Sequence, residues 1–539
     1  MTHLVEKRSA QHLLDARLRA LSVTGAVVLA ALMDAIASTA LSIGRIGLLG
    51  DTHATPDGLA MIDIVFIAAK LTSFLVAPLL VRAVRPTACL RAGAVILLLA
   101  SAAMTLSADL VWICVCRVAQ GLAGGTILVA GQTLLFLRFP HRHQPVVQAV
   151  FATGAVMAPT TITPALHGWL VDHLTWDWIF LANIPLGLAS LILLAAEGDA
   201  TFWRDAKLPI RRVILLGIGT TLLTYVLLQG SRFNWFDDTD IAVLAALGVM
   251  SVGLLAIGEI GFRPRGSLLP ISPLGDPDFR FGLLASLLAG FALSGSAYLI
   301  PTFALTVLDF TATGAGVLLL PSGAALALAL LLSGLLIEKA GIRAIMLAPF
   351  GILLFAGAMW LLSGSTSGSG SADLAVPLLL RGLGLGLLFM ALTMITLQGL
   401  AADALPFGIG LFNFGKQVGG LAGTALLQTY IDHQNAYNRT ILVAHVFSGD
   451  PAADQRLRAA ASALASNGVD STASTKGAVL LLQHALDRQA AVISFDEAFF
   501  SFVLLFAVAA PFLILAKRLL GLGAVRRNRT AAHKQDMLR

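Results

Sequence analysis

Six ionisable residues lie inside long apolar stretches of the sequence, where charged side chains are rare. They are Asp34, Asp63, Lys70, Arg117, Arg381 and Lys416. A lone charge at the centre of a bilayer costs about 2.5–3.5 kcal/mol on insertion scales, so such groups are usually paired and functional. Burial favours the neutral form of a carboxylate, whereas a nearby cation favours its charged form. An acid balanced between these effects can bind a proton facing one side and release it facing the other.

Helix geometry restricts how these charges can pair. Asp63 and Lys70 share one helix face but stand about 10 Å apart along the axis, too far for a salt bridge. At about 1.5 Å per residue, Asp34 and Lys70 have similar depths in their predicted helices. Asp63 and Arg117 both lie nearer the helix ends. We predict two cross-helix pairs, Asp34–Lys70 and Asp63–Arg117, which either couple proton movement or simply hold the helices together.

The elements that carry these residues are predicted membrane spans. Only 12% of the 539 residues are charged, against about 25% in soluble proteins, and apolar runs of about 20 residues recur throughout. We predict an all-α membrane protein with fourteen transmembrane helices. The predicted regions are a tail at 1–19, six spans in 20–197, two spans in 213–260, six spans in 281–516 with an outer loop at 431–497, and a basic tail at 517–539.

The distribution of positive charge predicts the orientation in the membrane. The net charge of +6 could suggest nucleic acid binding in a soluble protein, but here arginine and lysine collect in alternate short loops. Such loops are cytoplasmic by the positive-inside rule, so both termini are predicted to be cytoplasmic. Basic residues of the predicted cytoplasmic loops include Arg204, Lys207, Arg263 and Arg265, whereas Arg45 is one of the few in the opposing loops.

Several motifs combine glycine, proline and aromatic residues at fixed spacing. The stretch Arg117–Gly121 reads RVAQG, and the segments 154–170 and 176–187 read GAVMAPTTITPALHGWL and WDWIFLANIPLG. The stretch 410–420 reads GLFNFGKQVGG. Together these resemble the fourteen-helix drug:proton antiporter family of the major facilitator superfamily (the EmrB/QacA type). The sequence departs from the family pattern in the loop after the second span and at Thr163, His167 and Lys416.

The resemblance implies a fold of two six-helix bundles with two inserted helices. It implies proton-coupled efflux of amphipathic drugs or related compounds by alternating access, with Asp34 at the family's acidic position in span 1. The implied location is a bacterial inner membrane, with protons, a small-molecule substrate and lipid as partners. An importer or facilitator of a natural metabolite or metal chelate on the same fold is the alternative, because fold settles neither substrate nor direction.

Other residues are assigned by position and type. Small residues spaced four apart allow close helix packing, and proline loosens a helix ladder. We therefore assign Gly121, Gly154, Pro159, Pro164 and Gly419 to conformational change, and place Gln132, Tyr298, Arg381, Thr393 and Lys416 in a substrate cavity. The outer loop is either a solvated cap or a docking surface for a periplasmic adaptor protein.

The sequence lacks the motifs that are typical of other functional classes. The sequence has no GxxxxGK[ST] phosphate loop, which disfavours an ATP-driven pump. It has neither a metal-spaced His/Glu cluster nor a nucleophile elbow, so no enzyme, cofactor or metal is predicted. A sensor that retains the fold without transporting is a third interpretation.

Overall fold

The computed structural model describes residues 2–43, 55–195, 208–262, 267–268, 272–446 and 451–537, and these ranges are helices joined by short connections. The predicted positions Arg45, Arg204, Lys207, Arg263 and Arg265 lie outside them. The helices are α1 (Thr2–Ile43), α2 (Pro56–Ala83), α3 (Pro86–Met104), α4 (Leu110–Arg138), α5 (Gln144–His173), α6 (Asp177–Leu194), α7 (Ile210–Gln229), α8 (Thr239–Phe262), α9 (Pro277–Thr306), α10 (Ala312–Ala340), α11 (Ala344–Leu362), α12 (Ser371–Leu397), α13 (Leu405–Ala444), α14 (Pro451–Ser466) and α15 (Ser471–Met537).

Within the described ranges, 13 helices are long and apolar enough to cross a membrane. They account for every predicted span except 408–430. That span lies in α13, which is 40 residues long and carries Asn413, Lys416 and Gln417 among its glycines. These polar residues make α13 less apolar than its neighbours although it packs along α9 and α2 in the interior. The prediction of an all-α, polytopic membrane protein is confirmed.

The segment 431–497, predicted as an outer loop, is mostly helical in the part that the structure describes. The helix α13 continues to Ala444, and α15 begins at Ser471, well before its predicted membrane portion. Arg439 forms a 2.6 Å salt bridge with Asp487 between these two extensions. Gly468 turns the chain with φ +88°, a conformation that favours glycine. The segment is therefore a helical projection formed by the ends of α13 and α15 together with α14.

Glycines set the closest helix contacts in both parts of the chain. A Cβ at Gly121 would collide with the Phe66 carbonyl oxygen of α2. A Cβ at Gly382 on α12 would likewise collide with the Ser322 carbonyl oxygen of α10. The same helix relationship, α4 on α2 and α12 on α10, thus occurs in both halves, as a repeated architecture would produce. The division into two bundles with an insert remains a prediction.

The helix α5 changes its hydrogen-bonding register where the sequence places glycine and proline. Residues Thr153–Ile162 form a π-helix that contains Pro159, and Pro164 opens the α-helical segment that follows. Proline removes a backbone donor, and π-helical turns within α-helices occur frequently at functional sites. The loosened ladder predicted for this span is therefore present in the structure.

Candidate functional site

The first charge pair joins α1 to α2. Lys70 Nζ lies 2.7 Å from Asp34 Oδ2, and both side chains are buried. Asp34 Oδ1 has no hydrogen-bond partner among the described residues. Gly124 of α4 faces this oxygen so closely that a Cβ there would overlap it. The predicted pairing is confirmed, and it leaves one oxygen of a buried carboxylate free to accept a proton.

The second pair joins α4 to α2 and α1. Arg117 is fully buried and donates from Nη2 to Asp63 Oδ1 at 3.1 Å. Its Nη1 donates to the Ala37 carbonyl at 2.7 Å, and its Nε to the Ile62 carbonyl at 3.4 Å. This predicted pair is also confirmed. Because the guanidinium contacts two other helices at once, it holds α1, α2 and α4 in register.

Phe66 connects the two pairs. The Arg117 guanidinium carbon lies 4.1 Å from the centroid of the Phe66 ring, and Lys70 Nζ lies 5.6 Å from it. Both distances fall within the range of cation–π attraction. The two ion pairs are therefore parts of one polar cluster in the first half of the chain (18–194) rather than separate features.

A small cavity lies between this first half and the second half (277–519). It is bounded by α4 and α5 on one side and by α10, α12 and α13 on the other. It has room for about one water molecule, far less than a drug-sized ligand needs. The residues that line it are Gln132, Gln148, Phe151, Ala152, Ala155, Val156, Leu330, Phe389, Met390, Thr393, Phe412, Asn413 and Lys416.

Lys416 links the cavity to the first ion pair. Its side chain is partly buried in the wall of the cavity and interacts electrostatically with both Lys70 and Asp34. The structure gives the Lys416 ammonium no hydrogen bond or ion pair within the described ranges. Three ionisable groups from α1, α2 and α13 thus meet beside the cavity.

Three of the five residues predicted to face a cavity line this one, namely Gln132, Thr393 and Lys416. Tyr298 and Arg381 are not among its lining residues. Arg381 is fully buried and donates to Ser296 and Ser322, each at 2.9 Å. It ties α12 to α9 and α10, while its Nη2 has no partner among the described residues.

Three of the predicted conformational residues, Gly154, Pro164 and Gly419, lie at close helix–helix contacts. Gly154 of the π-helix packs against the Val28 carbonyl of α1, and Gly419 of α13 packs against the Leu287 carbonyl of α9. The carbonyl of Pro164 abuts Gly316 of α10. Each of these residues therefore lies on a helix–helix contact, and the contact at Pro164 joins the two halves.

Polar contacts join the two halves at both ends of the cavity. At the end that carries the chain termini, His143 Nδ1 lies 2.8 Å from Glu338 Oε1, and Gln398 donates to the His141 carbonyl. At the opposite end, Asp172 accepts hydrogen bonds from the backbone N–H and the hydroxyl of Thr313. The two halves therefore contact each other at both ends of the cavity.

Sequence reasoning missed two polar residues of the cavity, Gln148 and Asn413. Gln148 is a buried amide in the otherwise apolar stretch 145–152 of α5, which was a usable signal. Asn413 stands in the quoted motif, but nothing local shows that it faces Gln132 of α4, to which it donates at 3.2 Å. That contact depends on how the two halves meet.

Membrane-spanning helices around buried ion pairs, with a polar cavity between two halves, define the class of polytopic membrane transport proteins. The family model of the Major Facilitator Superfamily matches residues 23–424. The chain belongs to this superfamily.

Two similar proteins are consistent with membership of this superfamily. The chain is 31% identical over 340 residues to the multidrug export protein EmrB of Haemophilus influenzae, a match that covers 62% of this chain and 65% of that protein. It is 26% identical over 356 residues to the multidrug export protein EmrB of Escherichia coli K12, covering 66% and 69%. The match thus spans just under two thirds of the first relative.

A solved structure shows the same fold. The human organic anion transporter MFSD10 superimposes with a TM-score of 0.56 at 14% identity, covering 90% of this chain and 99% of that one. At this identity the likeness concerns the fold alone. The family and these relatives are transporters and not enzymes, in agreement with the interpretation of the sequence.

Proposed function

We propose that this protein is a secondary active transporter that exports amphipathic organic compounds in exchange for protons by alternating access. The observation that carries the proposal is the buried Asp34–Lys70 ion pair beside a cavity enclosed by both halves of the chain. The names of the EmrB relatives support the direction and the substrate class. Import of a natural metabolite or metal chelate is the less favoured direction.

Asp34 is the proposed proton carrier. Its Oδ2 is held by Lys70, while its Oδ1 has no hydrogen-bond partner among the described residues. A proton on this carboxylate would cancel its attraction for the Lys70 ammonium, and in a low-dielectric interior that attraction is strong. Protonation would therefore release Lys70 beside the cavity and couple the proton to the arrangement of α1 and α2.

Arg117 and Asp63 have a proposed positioning role in the same pathway. Their network fixes α4 against the backbone of α1 and α2, and α4 also carries Gly124, which packs on the Asp34 carboxylate. A shift of α4 would therefore move the wall that confines Asp34. In this way the second pair would control the geometry of the first.

Alternating access requires that the closures at the two ends open in turn. The contacts of His143 with Glu338 and of Asp172 with Thr313 are candidates for these two gates. The π-helix of α5 and the glycine contacts provide surfaces along which helices can slide. We also propose a bacterial inner-membrane location with cytoplasmic termini, and the helical projection 431–497 as the surface for a periplasmic adaptor.

The experiment that tests this function uses the purified full chain in liposomes. A pH gradient is imposed, and movement of fluorescent amphipathic compounds is followed for the wild type and for Asp34→Asn. Asp403→Asn is the matched control, because Asp403 is an exposed carboxylate in the connection before α13. We expect gradient-driven flux in the wild type and control and its loss in Asp34→Asn.

Flux that persists in Asp34→Asn with the same dependence on the gradient would remove Asp34 from the coupling path. Flux that ignores the pH gradient in the wild type would overturn proton exchange itself.

A further inference from the structure

Two polar groups that line the cavity are hydrogen-bond donors without a partner among the described residues, namely the Gln148 amide nitrogen and the Lys416 ammonium. No aspartate or glutamate is among its lining residues, all of which belong to the described ranges. Its charged lining residue is Lys416, and the remaining polar lining residues are Gln132, Gln148, Thr393 and Asn413. What such a cavity binds depends on which ends of the amide side chains remain unpaired.

A backbone carbonyl sets the direction of the amide chain. Asn413 Nδ2 donates to the Ile409 carbonyl at 3.0 Å, which fixes the NH₂ end of Asn413. The same NH₂ donates to Gln132 Oε1 at 3.2 Å, so Gln132 must present its own NH₂ onward. That group donates to Gln148 Oε1 at 3.2 Å. The hydrogen bond from Asn413 to Gln132 crosses the two halves, and it sets the orientation of Gln132 and through it that of Gln148 within the first half.

The chain ends in an unused donor. Gln148 is 1% exposed, and its Nε2 has no hydrogen-bond partner among the described residues. A buried donor without a partner is unfavourable, because it has lost its hydrogen bonds to water and gained none in the protein. The side chain lines the cavity, so a ligand oxygen there would satisfy it.

The charges point to the same kind of ligand. Asp34 and Lys70 form an ion pair whose charges cancel, so protonation of the nearby Lys416 gives this cluster of three groups one excess positive charge. Uncompensated charge is strongly unfavourable in a low-dielectric interior. A ligand anion near Lys416 would cancel the excess, and a ligand cation would increase it.

The rest of the wall suits an apolar body. Phe151 comes from α5, Phe389 and Met390 from α12, Phe412 from α13 and Leu330 from α10. Aromatic and aliphatic walls with a few convergent polar groups are typical of small-molecule sites. Such walls would accept an aromatic or aliphatic moiety attached to the charged head.

We propose that the substrate is an amphipathic organic acid bound as its anion, with its acidic oxygens between Lys416 of the second half and Gln148 of the first. This proposal rests on the proposed transport function and specifies its substrate class. Since the cavity holds about one water molecule, the acid would enter when the halves separate, and its oxygens would bridge them on closing. Permanent lipophilic cations are disfavoured.

Direct binding to the purified full chain tests this proposal without requiring transport. Three probes share one aromatic body: pyrenebutyrate, its methyl ester, and the quaternary ammonium analogue. We expect the acid to bind at least about tenfold more tightly than the ester, and the ammonium analogue most weakly. A tenfold difference corresponds to about 1.4 kcal/mol.

Two variants test the separate contributions of Lys416 and Gln148 to binding of the acid. Lys416→Met removes the charge at similar length and should bring the affinity for the acid close to that for the ester. Gln148→Glu keeps the acceptor that Gln132 needs but replaces the free donor with a negative charge. It should abolish acid binding and strengthen binding of the ammonium probe. Lys339→Met is the control, because Lys339 is exposed near the end of α10.

Equal affinity for acid and ester in the wild type, or tightest binding of the ammonium probe, would overturn the proposal. So would unchanged acid binding in folded Lys416→Met. The experiments distinguish failure of the proposed transport function from failure of the proposed substrate class. Selective binding of the acid without gradient-driven flux would contradict proton exchange. Proton-driven flux of cations alone would contradict only the substrate class. If Gln148→Glu does not fold, acid binding by Lys416→Met still tests the proposal.

Discussion

Asp34 of α1 and Lys70 of α2 form a 2.7 Å ion pair in which only one oxygen of the carboxylate is used. The pair is buried, and it lies within electrostatic range of Lys416, whose side chain lines the cavity between the halves. A buried pair is weak evidence for stability, since its desolvation offsets its attraction. Its position beside an inter-half cavity favours a role in transport instead.

A double substitution of this pair should restore the stability of the protein without restoring proton-coupled transport. Asp34→Asn leaves Lys70 without its partner and should lower the free energy of unfolding by up to about 3–5 kcal/mol. Asp34→Asn with Lys70→Met removes both charges and should restore most of that stability, because no charge stays buried. Proton-coupled flux should stay absent in both. Thermal unfolding in detergent and liposome flux measure the two effects, and restored flux in the double variant would contradict a coupling role.

Gly124→Ala should impair transport through Asp34 without loosening its helix. The added Cβ would overlap Asp34 Oδ1, so the carboxylate must move from its present position against Lys70. Alanine stabilises a helix by about 0.8–1.0 kcal/mol relative to glycine, so loss of helix stability cannot explain lower flux. Gly253→Ala on α8 is the matched control, because its Cβ would meet nothing within 4 Å. We expect several-fold lower flux in Gly124→Ala alone; equal flux in both would show that the contact is unimportant.

Arg117→Ala should be among the most destabilising single substitutions. Asp63 and the carbonyls of Ala37 and Ile62 would lose their donor, and breaking a buried ion pair costs about 3–5 kcal/mol. Arg117→Lys should recover only part of this loss, since lysine lacks the planar fork of donors. The measurement is the unfolding midpoint in detergent, with the exposed Arg142→Ala as control. A midpoint for Arg117→Ala equal to that of the control would refute the positioning role.

Removal of the contact between the halves at one end of the cavity should favour the conformation that is open at that end. Asp172→Ala removes the acceptor for the Thr313 N–H and hydroxyl and should favour opening at that end. Glu338→Gln weakens the contact with His143 and should favour opening at the end that carries the termini. Distances between spin labels on the connections 174–176 and 364–369, and between 141–143 and 341–343, would show each shift. A lengthening at the same end in both variants would argue against separate gates.

The sequence by itself determined the class of the protein, the helices and the identity of the charge pairs. Apolar length predicts spans because backbone groups in lipid must be satisfied within a helix. Helix rise then matched Asp34 with Lys70 and Asp63 with Arg117, since each pair needs only depth along neighbouring helices. The motif with Pro159 and Pro164 likewise predicted a loosened helix, and the structure has a π-helix there.

Tertiary structure alone decided which side chains meet across the two halves. The hydrogen bond from Asn413 to Gln132, on which the orientation of Gln148 depends, joins helices far apart in sequence, and no local pattern encodes their register. Within the second half, the packing of α12 against α9 and α10 likewise places Arg381 between Ser296 and Ser322 and not in the lining of the cavity. Local hydrogen bonding and apolarity fix helices residue by residue, whereas a site between packed halves depends on contacts that exist only after the helices assemble.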